Sequence, residues 1–216
     1  MRPRIALIHA TPVAMDPINQ AFLAGWPEAE RLNILDESLA SDRAKTPELD
    51  ASMFERFRLL TEYARRIGAN GILFTCSAFG EAIDAAAKAA DIPVLKPNEA
   101  MFDAALSAGT LIGMVATFAP SVASMEQEFR VAAASAGSKA TLRAQVAAGA
   151  MDALRAGDEA THNRLVAETA KALGSCDAIL LAHFSTARAL EAARAAVGRP
   201  VLTAPHAAME RLKALV

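Results

Sequence analysis

An internal repeat constrains the fold of this 216-residue chain more than any other feature of its sequence. One constant shift along the chain lays 71–100 (GILFTCSAFGEAIDAAAKAADIPVLKPNEA) over 178–207 (AILLAHFSTARALEAARAAVGRPVLTAPHA) without a gap. We call this offset, which carries position 71 to position 178, the repeat shift. Apolar strand positions coincide under it, as Ile72 does with Ile179. Because twice the repeat shift is almost the full length, it favours two similar halves that arose by duplication. The alternative is that any two β-α-β units resemble each other.

Within each half, short apolar runs alternate with helical patterns. The runs at 4–10, 31–36, 71–75 and 93–95 are typical of buried strands, and 46–67 has the spacing of a long amphipathic helix. This alternation indicates an α/β fold with parallel sheets. We expect two similar α/β lobes related by a pseudo-twofold duplication, the first formed by 1–97 with 206–216 and the second by 98–205.

Composition narrows the class of protein. Hydrophobic residues make up 53% of the chain, which is enough for a sizeable core, and the formal net charge is -2. No basic surface is implied, so we expect no nucleic-acid partner. The two cysteines form no CxxC pair, and no apolar run approaches the length of a membrane span or a signal peptide. These features predict a cytoplasmic protein with no membrane partner; a homo-oligomer is left open.

Two residues that follow equivalent strands are candidate catalytic groups. Cys76 and His183 coincide under the repeat shift, and each comes just after an apolar strand. Ligands of open α/β sheets bind beyond the carboxyl ends of the strands, so we expect both side chains to face one cleft between the lobes. A thiol at a helix N-terminus is favoured as thiolate, and imidazole suits acid-base work. A buried structural cysteine and a hydrogen-bonded core histidine are the alternatives.

Other polar strand ends are candidates for substrate binding. Cys176 precedes a strand and is expected to be structural, and His162 is expected to lie on a solvated helix surface. The histidines and Cys76 match no zinc-binding spacing, so we expect no metal. Nucleotide-binding and hydrolase motifs are absent from the sequence. The predicted substrate contacts are His9, Thr11, Ser77, Ala78, Asn98, Thr117, Phe118, Phe184 and Ser185.

Four segments together resemble the Asp/Glu/hydantoin racemase superfamily, which includes aspartate, glutamate and hydantoin racemases, arylmalonate decarboxylase and maleate isomerase. GILFTCSAFG is similar to the first cysteine motif, and LIGMVATFAPS to the strand and threonine turn that open the second half. DAILLAHFSTA occupies the place of the second cysteine motif, and RPVLTAPHAAM resembles the closing strand and helix. The chain departs from the family pattern at His183, where a second cysteine is usual.

This resemblance implies a cofactor-independent racemase or isomerase that acts on a small carboxylate, either an amino acid or a derivative of one. Cys76 would serve as thiolate base or nucleophile, and His183 as the opposing acid-base or an orienting donor. The missing second cysteine leaves a single-cysteine decarboxylase or cis-trans isomerase as the alternative enzyme. A non-catalytic protein that binds a small acid is the alternative outside enzymes.

Overall fold

The computed structural model of the chain describes residues 2–46 and 48–216. Contacts within the chain divide it into two units. Unit 1 comprises Met1–Asn98 with Ala208–Val216, and unit 2 comprises Glu99–Ala207. Across the described residues none of the helices is long and apolar enough to cross a membrane.

Unit 1 contains a four-stranded parallel sheet covered by helices. Its strands are β1 (Arg4–His9), β2 (Glu30–Leu35), β3 (Gly71–Phe74) and β4 (Val94–Leu95), in the order β2-β1-β3-β4. Its helices are α1 (Met15–Gly25), α2 (Glu37–Arg43), α3 (Ala51–Arg66) and α4 (Gly80–Ala89). The inner strands β1 and β3 are almost wholly buried, which explains why their sequences are apolar throughout rather than alternating.

Unit 2 repeats this architecture. Its strands are β5 (Leu111–Ala116), β6 (Thr141–Val146), β7 (Ala178–Leu181) and β8 (Val201–Thr203), in the order β6-β5-β7-β8. Its helices are α5 (Glu99–Ala108), α6 (Val122–Ser135), α7 (Ala150–Arg155), α8 (Glu159–Ala172) and α9 (Leu190–Ala196), while α10 (Ala204–Leu215) continues past the unit boundary at Ala207.

Strand register follows the sequence repeat. Ile72 pairs with Val94 in unit 1, and Ile179 pairs with Val201 in unit 2, so both partners move by the repeat shift. The first and last residues of β1 coincide with those of β5 under the same shift, as do those of β3 with those of β7. Two similar α/β lobes with parallel sheets are therefore confirmed, and the sheets match residue for residue along their inner strands.

The predicted elements differ from the observed ones mainly in the segment after β2. The helix expected at 46–67 is α3, which begins later, at Ala51, because Asp50 caps it by accepting a hydrogen bond from the Met53 N–H. An additional helix, α2, precedes it, and Asp36 caps α2 by accepting a hydrogen bond from the Ser38 N–H. Capping by two separate aspartates gives each helix its own start.

Candidate active site

Cys76 lies in a short turn that aromatic side chains anchor at both ends. It follows β3 after Thr75, has extended backbone angles (φ −122°, ψ 123°) and precedes a single 3-10 turn, Ser77–Phe79, that leads into α4. Phe74 and Phe79, on either side, are buried and pack on Phe57 of α3 with ring centroids 4.8 and 5.0 Å away. This packing holds the backbone of the turn in place and leaves the cysteine half-buried.

The Cys76 thiol is held in its protonated form. Burial raises its pKa, while the Ala78 N–H and the charge of Arg43 lower it by less. The expectation that the helix N-terminus favours the thiolate is therefore wrong in this structure, because desolvation of the charged sulfur outweighs the partial charge of one short 3-10 turn. At neutral pH the site presents a thiol, which is a proton donor rather than a base.

Arg43 reaches this turn from α2. Its Nε donates to the carbonyl oxygen of Ala78 over 3.1 Å. The helix that carries it is tied to α3 by Arg56, whose guanidinium pairs with Asp36 at 2.8 Å and Asp42 at 2.9 Å. Sequence reasoning missed Arg43, since nothing in its local pattern indicates that it contacts a turn 35 residues later.

His9 is fully buried at the end of β1, and both of its ring nitrogens are hydrogen-bonded. Nδ1 lies 2.9 Å from Thr75 Oγ1, and Nε2 lies 3.0 Å from Asn33 Oδ1. Asn33 in turn exchanges hydrogen bonds with Asn19, at 3.0 and 3.2 Å. Burial lowers the pKa of His9, so its ring is neutral at pH 7. The imidazole therefore has no ring nitrogen left for a ligand, and its predicted substrate contact stays a prediction.

His183 occupies the equivalent position in unit 2 with a different backbone. Thr75 N–H donates to Ile8 O, and Ala182 N–H donates to Val115 O, so this hydrogen bond also follows the repeat shift. The next residues, Cys76 and His183, then diverge, because the φ of His183 is 68°. Within 2–46 and 48–216 it is the only non-glycine residue with a positive φ. Such left-handed backbone is costly for a residue with a Cβ and is common at functional sites.

The His183 ring is half-buried, and its Nδ1 is buried without a hydrogen-bond partner among the described residues. Burial lowers the pKa of His183, and the nearby Ala182 backbone raises it by less. The ring is therefore neutral at pH 7, and a neutral imidazole with an unoccupied nitrogen can accept a proton.

Hydroxyl groups surround the strand ends of unit 2. Thr117, after β5, lies with its Oγ1 3.4 Å from Thr186 Oγ1, and both residues are buried. Thr203 ends β8, and its Oγ1 lies 2.7 Å from His206 Nδ1. The carboxyl edge of this sheet therefore carries small polar groups that are buried and paired with one another or with His206.

The other predicted substrate contacts fall into an exposed and a buried group. Ser77, Ala78 and Phe118 are exposed, and Thr11 and Ser185 are half-buried. Asn98 and Phe184 are buried, each 5% exposed. The Ala78 N–H is directed at the Cys76 sulfur. Their contacts with a substrate stay predictions.

Two further histidine and cysteine predictions can be compared with the structure. His162 was expected on a solvated surface and is instead fully buried in α8, with Nδ1 2.8 Å from Asn163 Oδ1. Its spacing with Val166 and Ala170, both buried on the same helix face, is the signal that indicates burial. Cys176 is fully buried before β7. In the described part of the chain, no three His, Cys, Asp or Glu side chains are grouped to hold a metal ion.

Comparison with known proteins identifies relatives of this fold. The family model described as Asp/Glu/Hydantoin racemase matches residues 8–182. An aspartate racemase homologue from Pyrococcus horikoshii is similar in structure (TM-score 0.74, 14% identity), over 100% of this chain and 99% of that one. Allantoin racemase from Klebsiella pneumoniae has a TM-score of 0.68 and 21% identity, over 99% of this chain and 87% of that one.

Decarboxylases share the fold as well. The structure of unliganded arylmalonate decarboxylase superimposes with a TM-score of 0.63 and 15% identity, over 99% of this chain and 92% of that one. No curated protein sequence matches the chain. At these identities the structural matches establish the fold alone.

Proposed function

Since the chain belongs to the Asp/Glu/hydantoin racemase family, we propose that it is a cofactor-independent, cytoplasmic isomerase that racemises a small carboxylate, an amino acid or a derivative of one. The observation that carries the proposal is the equivalence of Cys76 and His183. Cys76 follows β3, which pairs with β1, and His183 follows β7, which pairs with β5. The two strand pairs have the same register, and the two residues are related by the repeat shift. A duplicated fold thus offers two proton-transfer groups at matching positions.

Racemisation requires that a proton leave one face of the α-carbon and that another arrive on the opposite face. We assign removal to the neutral imidazole of His183 and delivery to the thiol of Cys76. The assignment follows from the pKa directions, because burial keeps the first group unprotonated and the second protonated at neutral pH. One turnover leaves an imidazolium and a thiolate, and this pair performs the reaction of the other enantiomer before exchanging protons with water.

Substrate binding in this proposal uses the polar groups at the strand ends. Exposed Ser77 and half-buried Thr11 are the hydroxyl donors of unit 1, and Thr117 and Ser185 are those of unit 2. A carboxylate is the ligand class that several hydroxyl and backbone N–H donors suit, because each donor favours negative charge on the oxygen it contacts. Further proposed contacts are Ala78, Asn98, Phe118 and Phe184.

One observation favours a second candidate, a decarboxylase that protonates a single face of its product. Burial raises the pKa of Cys76, and a protonated thiol suits a group that only has to donate. In that reaction the C–C bond to the departing CO₂ breaks, its electron pair stays on the α-carbon, and the Cys76 proton then bonds to that carbon. His183 would then orient the substrate without carrying a proton.

An activity screen in deuterated water, followed by NMR, distinguishes the two. Amino acids, hydantoins, substituted malonates and maleate are the substrates to screen. Racemisation incorporates deuterium at the α-carbon of both enantiomers, whereas decarboxylation releases CO₂ and labels one face. No turnover of any of these, together with saturable binding of a small acid, would indicate a binding protein and contradict the proposal.

Variants of the two groups test their roles. Cys76→Ala should abolish turnover, because Cys176, the other cysteine of the described residues, is fully buried and cannot replace its thiol. His183→Asn keeps a polar side chain without carrying a proton and should lower kcat about 10²–10⁴-fold, the usual contribution of one general acid or base. Cys176→Ala is the matched control and should retain turnover, since that cysteine is buried at the start of β7. A His183→Asn enzyme with unchanged kcat would remove the imidazole from the mechanism.

A further inference from the structure

A chain of polar side chains leads from the surface of unit 1 to the residue before Cys76. It consists of Asn19, Asn33, His9 and Thr75, joined by hydrogen bonds of 2.9–3.2 Å. Asn33 is exposed, whereas His9 and Thr75 are buried. We refer to these four residues as the polar chain. The mechanism above does not use it.

The direction of the hydrogen bonds follows from the donor inventory. Asn33 Oδ1 is an acceptor, so His9 Nε2 must carry the hydrogen. In the neutral ring Nδ1 is then an acceptor, and Thr75 Oγ1 must donate to it. The alternative partner of the Thr75 hydroxyl, the Ile8 carbonyl, is farther away at 3.3 Å. The histidine thereby fixes the rotamer of Thr75 from within the core.

Unit 2 lacks the polar chain although its sheet is the same. The repeat shift places His9 over Ala116 and Thr75 over Ala182. Asn33 pairs with Leu7 in register, and the equivalent pairing in unit 2 joins Met114 to Ala144. Alanine at all three positions shows that this four-stranded sheet forms without the polar groups. Burying a polar group is costly unless it is hydrogen-bonded, and in unit 1 the buried His9 ring has both nitrogens paired, so these polar residues depend on one another and form a feature specific to unit 1.

We propose that His9 is a positioning residue for Cys76, acting through the Thr75 hydroxyl to hold the turn that carries the thiol. The proposal rests on the proposed function only in taking Cys76 as the reactive group. Thr75 is covalently joined to Cys76, and its N–H already pairs with Ile8 O at 3.0 Å. The side-chain bond to His9 adds a second attachment at the point where the strand ends.

Two substitutions of His9 separate its two hydrogen bonds. In His9→Asn the side-chain oxygen lies near the former Nδ1 and can still accept from Thr75, whereas in His9→Gln the amide lies near the former Nε2 and reaches only Asn33. The readout is the rate of iodoacetamide alkylation of Cys76 between pH 6.5 and 10, followed by peptide mass spectrometry with Cys176 as internal reference. If His9 only filled space, the two variants would have the same rate of Cys76 alkylation.

Loss of the Thr75 contact should loosen the turn and expose the sulfur. Alkylation of Cys76 at pH 7.5 should then rise about three- to tenfold in His9→Gln, the size expected when one hydrogen bond no longer holds the turn, and stay within about twofold of the parent in His9→Asn. Equal rates in the two variants, or the reverse order, would overturn the proposal.

Substitutions of Thr75 give the same answer should a His9 variant not fold. Thr75→Val removes the hydroxyl at nearly constant shape and should resemble His9→Gln, while Thr75→Ser restores the hydroxyl and should resemble the parent. Thr61→Val is the matched control, since Thr61 is equally buried in α3 of the same unit and its hydroxyl has no partner within the described chain. A Thr75→Val protein with the alkylation profile of Thr61→Val would refute the positioning role.

These measurements need no turnover. An inactive protein that shows the expected alkylation pattern retains the positioning role and loses only the proposed racemase activity. An active enzyme with an unaltered pattern in all four His9 and Thr75 variants loses the positioning role and keeps the activity.

Discussion

Replacing His183 by glycine should give a more stable protein than replacing it by alanine, which reverses the usual order. Both variants lose the imidazole, so its contacts cancel when the two are compared. The φ of His183 is 68°, and left-handed backbone costs a residue with a Cβ about 1–2 kcal/mol. Glycine avoids this cost but loses about 0.5–1 kcal/mol relative to alanine through backbone entropy. The expected difference is about 0.5–1 kcal/mol in favour of glycine.

Cys76 supplies the matched pair for this experiment. Its φ of −122° is ordinary extended backbone, so Cys76→Ala should be more stable than Cys76→Gly by about 0.5–1 kcal/mol. Subtracting one pair from the other cancels the glycine entropy and leaves about 1–2 kcal/mol, the left-handed cost itself. Urea unfolding followed by circular dichroism measures each free energy, and in thermal unfolding each kcal/mol corresponds to about 2–4 °C for a chain of this size. A double difference near zero would mean that position 183 carries no backbone strain.

Three further outcomes follow from the pKa values and the packing. Burial lowers the pKa of His183, so at acidic pH the unfolded chain binds a proton that the folded chain does not. The free energy of unfolding should therefore rise with pH up to about 6.5, and thermal melts across pH 4.5–7.5 should show a smaller rise in His183→Asn. Arg43 lowers the pKa of Cys76, so Arg43→Gln should move the pH profile of Cys76 alkylation to higher pH, and an unmoved profile would contradict this. Gly113→Ala would place a Cβ 2.7 Å from Ile179 Cδ1 and should cost about 1–3 kcal/mol in urea unfolding, whereas no loss would mean that the sheet adjusts there.

The sequence predicted the sheets well because buried parallel strands leave a simple signal. The inner strands must be apolar on both faces, so GILF and AILL stand out, and the repeat shift carried the register with it. Strand ends were correct to one or two residues. The short helix α2 was missed because it lies in a polar segment, where the Asp36 cap, which accepts a hydrogen bond from the Ser38 N–H, rather than hydrophobic spacing determines its start.

Site chemistry was less predictable, since it depends on environment rather than on residue type. A cysteine before a helix suggested a thiolate, yet the burial of Cys76 reverses the direction of its pKa shift. The left-handed backbone of His183 has no sequence signal, because the residue is not glycine and its equivalent in unit 1 is extended. Asn33, an amide between Leu32 and Ile34 in the predicted strand, was a sequence clue to the polar chain.

Divergence between the halves is concentrated where the strands end. Along β3 and β7, core packing requires apolar side chains in both units, so the paired positions stay similar. Beyond the strands this requirement lapses, and there unit 1 has Thr75 and a thiol where unit 2 has Ala182 and an imidazole. A symmetric scaffold can therefore carry an asymmetric pair of proton-transfer groups without a change in its core.

His183→Cys tests whether that asymmetry sets the working pH. Cysteine and histidine both carry a Cβ, so the left-handed strain at this position is the same for both and the fold should be unaffected. Burial raises the pKa of a thiol but lowers that of an imidazole, so the base that is present at neutral pH in the parent becomes scarce in the variant. Exchange of the α-proton should therefore continue by two thiols, with its kcat/KM optimum moved to higher pH. An optimum that stays in place, measured by deuterium incorporation from pH 6 to 10, would show that His183 does not act as the base.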